Sequence, residues 1–237
     1  MIVVWGVSLA LLVQMLCYLP FLFVIRLLHP RNRLPPETKK EVFMSALNSG
    51  IRHVIKSPLI CHSLLITALY SFLIRGTLEL LPAIADGLFS KGASGLGLLT
   101  SSAGLGALIA GITKAFMPGQ ISGKLSKYVL VSTLLGIILL PLLGLSNSWT
   151  FTLICISFLG FSGTLAGISI QTAIQIDLSD DLRGRVMSLW TMIGMASLAI
   201  GAISLGSLAD YIGFTLAFSV CSTLGILVLA SFFLKLR

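Results

Sequence analysis

The sequence has 237 residues, of which 56% are hydrophobic and only 10% are charged, and its formal net charge is +8 at pH 7. These values exclude an ordinary soluble domain, which carries roughly 25% charged residues, because a core of this size could not bury so much apolar surface. The net positive charge alone would allow nucleic-acid binding. The positions of the cations along the chain are needed to distinguish this function from a role in membrane topology.

Seven apolar blocks divide the sequence, and each is long enough for the roughly 20 helical residues that cross a bilayer. They are Met1–Leu28, Pro58–Leu81, Ser94–Phe116, Tyr128–Leu145, Trp149–Ile176, Val186–Ala209 and Phe214–Leu234. The first block lacks the basic start and the short apolar region of a signal peptide, so we expect it to be retained. The sequence therefore predicts an all-α membrane protein with about seven transmembrane helices.

A polar connector, residues 29–57, follows the first block. It begins with prolines and cations in "HPRNRLPPETKK" and continues as "EVFMSALNSGIRHVIKSP". In the second part, apolar residues recur at helical intervals with cations between them. This pattern predicts an amphipathic helix, which either lies flat on the inner membrane surface or packs against the protein as a linker helix.

The positions of the cations predict the orientation of the chain. If residues 28–57 are cytoplasmic, successive loops alternate sides, only Lys91 falls outside, and Arg75 falls within a span. The inside positions are then Arg26, Arg31, Arg33, Lys39, Lys40, Arg52, Lys56, Lys114, Lys124, Lys127, Arg183, Arg185, Lys235 and Arg237. This is the positive-inside distribution of membrane proteins, with attraction to anionic inner-leaflet lipid. The expected partner is the lipid bilayer, and no nucleic acid is needed.

Small residues four apart recur within the spans. The pairs and triplets are Ala103, Ala107 and Gly111 in one block, Gly163 and Gly167 in another, and Ala202 and Gly206 in a third. Such residues form grooves in which a neighbouring helix approaches closely. The spans are therefore expected to form a compact bundle.

The segment from Asp177 to Arg185 has an unusual concentration of charge for this chain. On the cytoplasmic side it would form a tight turn between two helices. Ser179 can cap the second helix, whose positive dipole end suits nearby aspartates, and Arg183 can reach carboxylates or exposed carbonyls. A simple solvated turn is the alternative.

Arg75 and Glu79 are the clearest charged residues inside a span, where charge is costly and often functional. Because they are four apart, they lie on one face of the helix. In one interpretation both face a central cavity, with Glu79 as a proton or cation carrier and Arg75 tuning its charge. In the other they neutralise each other near the outer surface.

Uncharged polar residues in the spans are further candidates for contact with a substrate. They are Gln14, Ser101, Ser102, Gln171 and Gln175. They could line a cavity for an amphipathic molecule, or each could bond to a neighbouring helix. His62 is a weaker candidate, since it lies near a helix end.

The sequence contains no phosphate-binding loop of the form G-x-x-x-x-G-K-[ST], no metal-ligand constellation, no nucleophile with an identifiable base and no nicotinamide fingerprint. We therefore expect neither enzyme activity nor a cofactor. Any transport energy would come from an ion gradient or a partner.

Three stretches resemble one known family. "DLRGRVMSLWTMIGMASLAIGAISLGSLADYIGF" resembles the eleventh-helix region of the major facilitator superfamily, in the branch of enterobactin-exporter-like transmembrane secretion effectors. "GIRHVIKSP" and "LELLPAIADGLFSKGASGLGLLTSSAGLGALIAG" are similar to the linker and to the seventh and eighth helices of that branch. The resemblance covers nearly the whole chain.

The resemblance implies a domain organisation. Residues 1–28 correspond to the sixth family helix, residues 29–57 to the cytoplasmic linker, and residues 58–237 to the C-terminal six-helix half. That half consists of two inverted three-helix repeats. The five preceding helices of the family have no counterpart in this sequence.

The resemblance also implies a secondary active transporter in the bacterial inner membrane that exports small amphipathic molecules such as siderophores or drugs by proton antiport. Glu79 and Asp86 are the available proton carriers. The implied cytoplasmic gate comprises Asp177, Asp181, Arg183, Gly184 and Arg185. The alternative is a non-transporting membrane subunit, or a gene fragment, that requires a separate N-terminal half.

Overall fold

The structure is a computed structural model that describes residues 2–27, 43–117 and 125–235, and within these ranges all regular elements are helices. The chain divides into two units, Met1–Val42 and Phe43–Arg237. In the first unit, helix α1 covers Ile2–Leu27 and contains Pro20. Its segment Leu11–Leu27 is a shorter apolar helix, so its assignment as a membrane span stays a prediction.

The second unit contains an amphipathic helix and six helices that are long and apolar enough to cross a membrane. They are α2 (Phe43–Lys56), α3 (Pro58–Leu88), α4 (Gly92–Phe116), α5 (Lys127–Gly144), α6 (Trp149–Asp177), α7 (Asp180–Ile212) and α8 (Phe214–Lys235). The predicted all-α membrane fold is confirmed for these six spans. The predicted domain limits at residues 28 and 57 stay predictions.

Two helices extend well beyond the predicted apolar blocks. Helix α3 continues past Leu81 to Leu88, and α7 begins at Asp180 rather than at Val186. The limits of an apolar block mark where lipid contact ends, whereas backbone hydrogen bonds can continue the helix into water. Ser179 occupies the predicted N-cap position, but its side chain makes no capping hydrogen bond.

Glycines allow two helix pairs to approach at backbone distance. In the α4–α6 pair, a side chain at Gly106 would collide with the Ser157 carbonyl, and one at Gly160 would collide with the backbone of Ala103. The expected role of Ala103 as a small contact residue is thus confirmed. Because both contacts are to backbone atoms, neither can be relieved by a rotamer change.

The α3–α7 pair is built in the same way. A Cβ at Gly76 would lie 3.0 Å from the backbone nitrogen of Ala202, and a Cβ at Gly201 would collide with the Phe72 carbonyl. Gly111, by contrast, faces open space, so the small-residue pattern predicted grooves without showing which glycines are in contact.

Lys91 and Arg185 lie at opposite ends of the helix bundle. Lys91, after α3, lies over the Trp149 ring at 5.1 Å, so the α3–α4 and α5–α6 connections share one end. A Cβ at Gly50 of α2 would lie 3.4 Å from the Cβ of Arg185, which places α2 and the start of α7 at the other end. The predicted segregation of Lys91 from Arg185 is confirmed, while Arg31 lies outside the described residues.

Helix α2 packs against the protein, as one of the two predicted alternatives states. Gly50 is buried against α7, and Val54 packs against the core. Ile51 and Ile55 are 41% and 73% exposed. The contact of this exposed apolar side with the membrane surface stays a prediction.

Replacing Gly106 by alanine should destabilise the bundle, because the added methyl group meets the Ser157 backbone. Overpacking of this kind costs about 1–3 kcal/mol and should lower the Tm of the detergent-solubilised protein by several degrees. Gly111→Ala, on the same helix but in open space, is the matched control and should leave Tm unchanged or higher. Equal Tm values for the two variants would contradict the packing role of Gly106.

The charge distribution predicts the sidedness of two exposed serines in a cysteine-free background. Ser90→Cys, beside Lys91, should react with a membrane-impermeant maleimide in intact cells. Ser179→Cys, at the opposite end, should react only after permeabilisation. Labelling of both thiols in intact cells would refute this arrangement.

Candidate functional site

A cleft of about 480 Å³ opens between α3, α4 and α6. We call it the α3–α4–α6 cleft. It is lined by Tyr70, Arg75 and Leu78 of α3, by Ala103, Gly104 and Ala107 of α4, and by Gly160, Gly163, Thr164, Gly167, Ile168 and Gln171 of α6. Its wall is largely made of small residues, and its polar groups come from α3 and α6.

A π-helical turn in α3, Ser71–Arg75, brings Tyr70 and Arg75 to the same cleft. In a regular α-helix, residues five apart are rotated by about 140° around the axis. The i→i+5 hydrogen bonds of a π turn instead bring residues five apart towards the same face of the helix. Tyr70 and Arg75 consequently line the same cleft, with the Tyr70 hydroxyl beside Gly167.

The glycines of α6 allow α3 side chains to pack close to this helix. A Cβ at Gly167 would lie 3.1 Å from the Tyr70 hydroxyl oxygen, and one at Gly163 would lie 3.2 Å from an Ile74 methyl carbon. On α4, Gly104 faces open space. A larger residue at position 167 would displace Tyr70, and one at position 104 has room for its side chain.

Only two of the seven residues predicted to contact substrate or ions, Arg75 and Gln171, line the cleft. Arg75 is half-buried, whereas Glu79, one turn further along α3, is exposed and does not line it. Arg75 and Glu79 were predicted to share one environment, but their surroundings differ in the structure. The role of Glu79 stays a prediction.

The other predicted polar residues lie elsewhere. On α4, Ser101 is exposed and Ser102 is half-buried, and neither lines the cleft. Gln175 lies about one turn beyond Gln171 on α6, outside the cleft lining. Gln14 belongs to the first unit.

The charged segment between α6 and α7 is a tight turn, as predicted, since only Leu178 and Ser179 separate the two helices. The Arg183 guanidinium donates a hydrogen bond to the Gln175 carbonyl at 3.5 Å. This contact joins the start of α7 to the last turns of α6. Arg183 therefore reaches an exposed helix carbonyl, one of the two partners predicted for it.

The remaining predicted gate residues surround this contact. Asp177 ends α6 and is half-buried, and Arg185 packs beside Gly50 of α2. Gly184 is exposed with open space around it. Asp181 lies in the first turn of α7, and its side chain is outside the described part of the structure. The gate role of all these residues stays a prediction.

Sequence reasoning missed Tyr70 and Thr164. The α-helical period places Tyr70 away from Arg75, so no signal in the sequence revealed their proximity. Thr164 was detectable, because it is a lone polar residue between Gly163 and Gly167 in an apolar span. A third missed contact is the hydrogen bond that the Trp190 indole of α7 donates to the Thr67 hydroxyl of α3 at 3.1 Å.

Comparisons with known proteins identify similar sequences. The family model described as transmembrane secretion effector matches residues 1–237. The enterobactin exporter EntS of Salmonella choleraesuis is 29% identical over 206 residues, which cover 87% of this chain and 47% of the relative. EntS of an Escherichia coli strain is 29% identical over 180 residues, covering 73% of this chain and 41% of the relative. The chain thus spans less than half the length of these curated relatives, and no solved structure matches it.

Thiol labelling should show whether water fills the α3–α4–α6 cleft. In a cysteine-free background, Thr164→Cys should react with a small, charged methanethiosulfonate reagent, because this reagent needs an ionised thiol in contact with water. Ser162→Cys is the matched control on the same helix: Ser162 is fully buried, so its replacement should stay unreactive. An unreactive thiol at position 164 would indicate that the cleft is closed or filled by lipid.

Proposed function

The chain belongs to the transmembrane secretion effector family of the major facilitator superfamily and is a multi-pass bacterial membrane protein, and we propose that it forms the C-terminal half of a secondary active exporter. The α3–α4–α6 cleft, with Arg75 and Gln171 inside a bundle of apolar helices, is the observation that carries this proposal. Curated relatives are named as exporters of a small molecule, which favours export of small organic compounds.

The cleft is suited to contribute part of a substrate site. Its volume of about 480 Å³ falls within the roughly 300–1,000 Å³ of typical small-molecule pockets. Its mixture of glycine, leucine, threonine and glutamine suits an amphipathic substrate such as a siderophore or a drug. Ser101, Ser102 and Gln175 would contact such a substrate along the rest of the pathway.

A second helical half would complete the site. The apolar faces of α4 and α7 are the least buried of the six spans, with Leu108 of α4 and Ile203 of α7 among their exposed residues. The curated relatives are about twice as long as the matched region. We infer that an N-terminal transporter half, on the same polypeptide or on a separate one, faces the cleft.

Alternating access would then open the cleft to each side of the membrane in turn. The turn between α6 and α7 would act as part of the cytoplasmic gate. Arg183 bonds to the Gln175 carbonyl, and in the proposed cycle opening would break this contact. Asp177, Asp181, Gly184 and Arg185 would set the charge and the flexibility of the same segment.

Proton antiport is the proposed energy source. Glu79 and Asp86 are carboxylates of α3, and both are exposed to the surroundings of the bundle. Protonation would neutralise a carboxylate, and this change of charge within the membrane alters its solvation strongly. Glu79 lies nearer the middle of the α3 span than Asp86 does, so it is the preferred carrier.

A transport assay tests the proposal. The chain would be produced in efflux-deficient cells, alone and together with an N-terminal major facilitator half from a similar exporter, and the cells would be loaded with an amphipathic fluorescent dye or a siderophore. We expect energised efflux only when both halves are present. A protonophore should abolish this efflux, and Glu79→Gln should lower its rate at least about tenfold, as expected for loss of a proton carrier.

The other outcomes would contradict separate parts of the proposal. Efflux by the chain alone would refute the requirement for a second half. Absence of efflux when both halves are present and assembled would favour a non-transporting membrane subunit. Efflux that persists with protonophore would exclude proton coupling.

A further inference from the structure

We propose that the α3–α4–α6 cleft recognises a substrate with one anionic group on an apolar body, and that Arg75 binds the anion. This inference rests on the proposed function of the cleft as a substrate site. It replaces the sequence-based interpretation in which Arg75 only tunes the charge of Glu79.

Among the residues that the structure describes, Arg75 is the only charged one that lines the cleft. It lies in the interior of the α3 span, Pro58–Leu88, where a cation without a counter-charge is costly. Glu79 is exposed and does not line the cleft, so it supplies no negative charge there. An anionic group of the substrate would provide this counter-charge, and the planar guanidinium can bind a carboxylate through two parallel hydrogen bonds.

Tyr70 gives the same position a second hydrogen-bond donor. Its side chain is almost completely buried, its hydroxyl lies beside Gly167, and it lines the cleft together with Arg75. The π turn holds both residues on one side of α3. A carboxylate or an acidic phenolate in the cleft can therefore accept hydrogen bonds from the guanidinium and from the tyrosine hydroxyl together.

The rest of the lining is apolar or weakly polar. Gly160, Gly163 and Gly167 of α6 lie against Ala103, Ile74 and Tyr70, whereas Gly104 of α4 faces open space. This lining offers apolar contact to the remainder of the substrate and supplies no second charge. Because only one cation is present, the cleft should prefer a single negative charge to several.

A matched set of naphthalene probes tests this inference on the purified full chain in nanodiscs, with empty nanodiscs as the control for partition into lipid. The probes are 2-naphthoate, the neutral 2-naphthalenemethanol and the cationic 2-naphthylmethylamine, and their Kd values are measured by fluorescence titration. We expect 2-naphthoate to bind at least about tenfold more tightly than the alcohol, with the amine weakest, as charge-assisted bonding predicts.

Substitutions assign the preference to Arg75. Arg75→Gln should weaken naphthoate binding about tenfold and leave the alcohol unchanged, while Arg75→Lys should retain part of the preference, since lysine keeps the charge without the planar fork. Lys114→Gln removes the same charge from α4 outside the cleft and should change neither Kd. Tyr70→Phe should weaken naphthoate alone by about threefold, and it provides a second variant if Arg75→Gln does not fold.

The outcomes separate this inference from the function on which it rests. Equal affinity of the unmodified chain for the acid and the alcohol, or a preference that survives Arg75→Gln, would overturn anion recognition by Arg75 while retaining an organic-molecule site. Failure of all three probes to bind the unmodified chain would contradict the cleft as a substrate site, and the inference would fall with it.

Discussion

Backbone contact between paired helices is the constraint on which the rest of this structure depends. In a membrane, helices gain little from hiding apolar surface, so close packing of small residues has to hold them together. Gly106 and Gly160 allow this contact between α4 and α6, while Gly76 and Gly201 allow it between α3 and α7. Each pair joins one of the first three spans to one of the last three, as expected for two interlocked three-helix repeats.

The paired helices place the π turn of α3 beside the α3–α4–α6 cleft. The turn brings Arg75 to the side of α3 that carries Tyr70, and small residues of α4 and α6 line the cleft with them. Local hydrogen bonds accompany the irregular helix, since the hydroxyl groups of Thr67 and Thr77 donate to the carbonyls of Ser63 and Leu73. A departure from regular helix geometry thus coincides with the one charged group of the cleft, as is frequent at functional sites.

Arg183 and Arg75 lie in different surroundings. Arg183 is exposed at the start of α7, where it donates a hydrogen bond to a carbonyl of α6. Arg75 is half-buried in the middle of α3 and lines the cleft. Because desolvating a charge is costly, the proposed gate uses a charge that water can solvate, while the proposed anion site uses one that a substrate would neutralise.

The sequence alone determined the membrane environment, six of the seven predicted spans with their approximate limits, and the separation of Lys91 from Arg185, because these depend on composition and on local helical period. It also identified Arg75, Gln171 and the Asp177–Arg185 turn as candidates. Only the tertiary structure decided that Arg75 joins Tyr70 while Glu79 does not line the cleft, and that Gly106 makes a contact while Gly111 makes none. The physical reason is that a π turn and a helix crossing depend on which neighbours each helix meets, and the one-dimensional pattern carries no record of those neighbours.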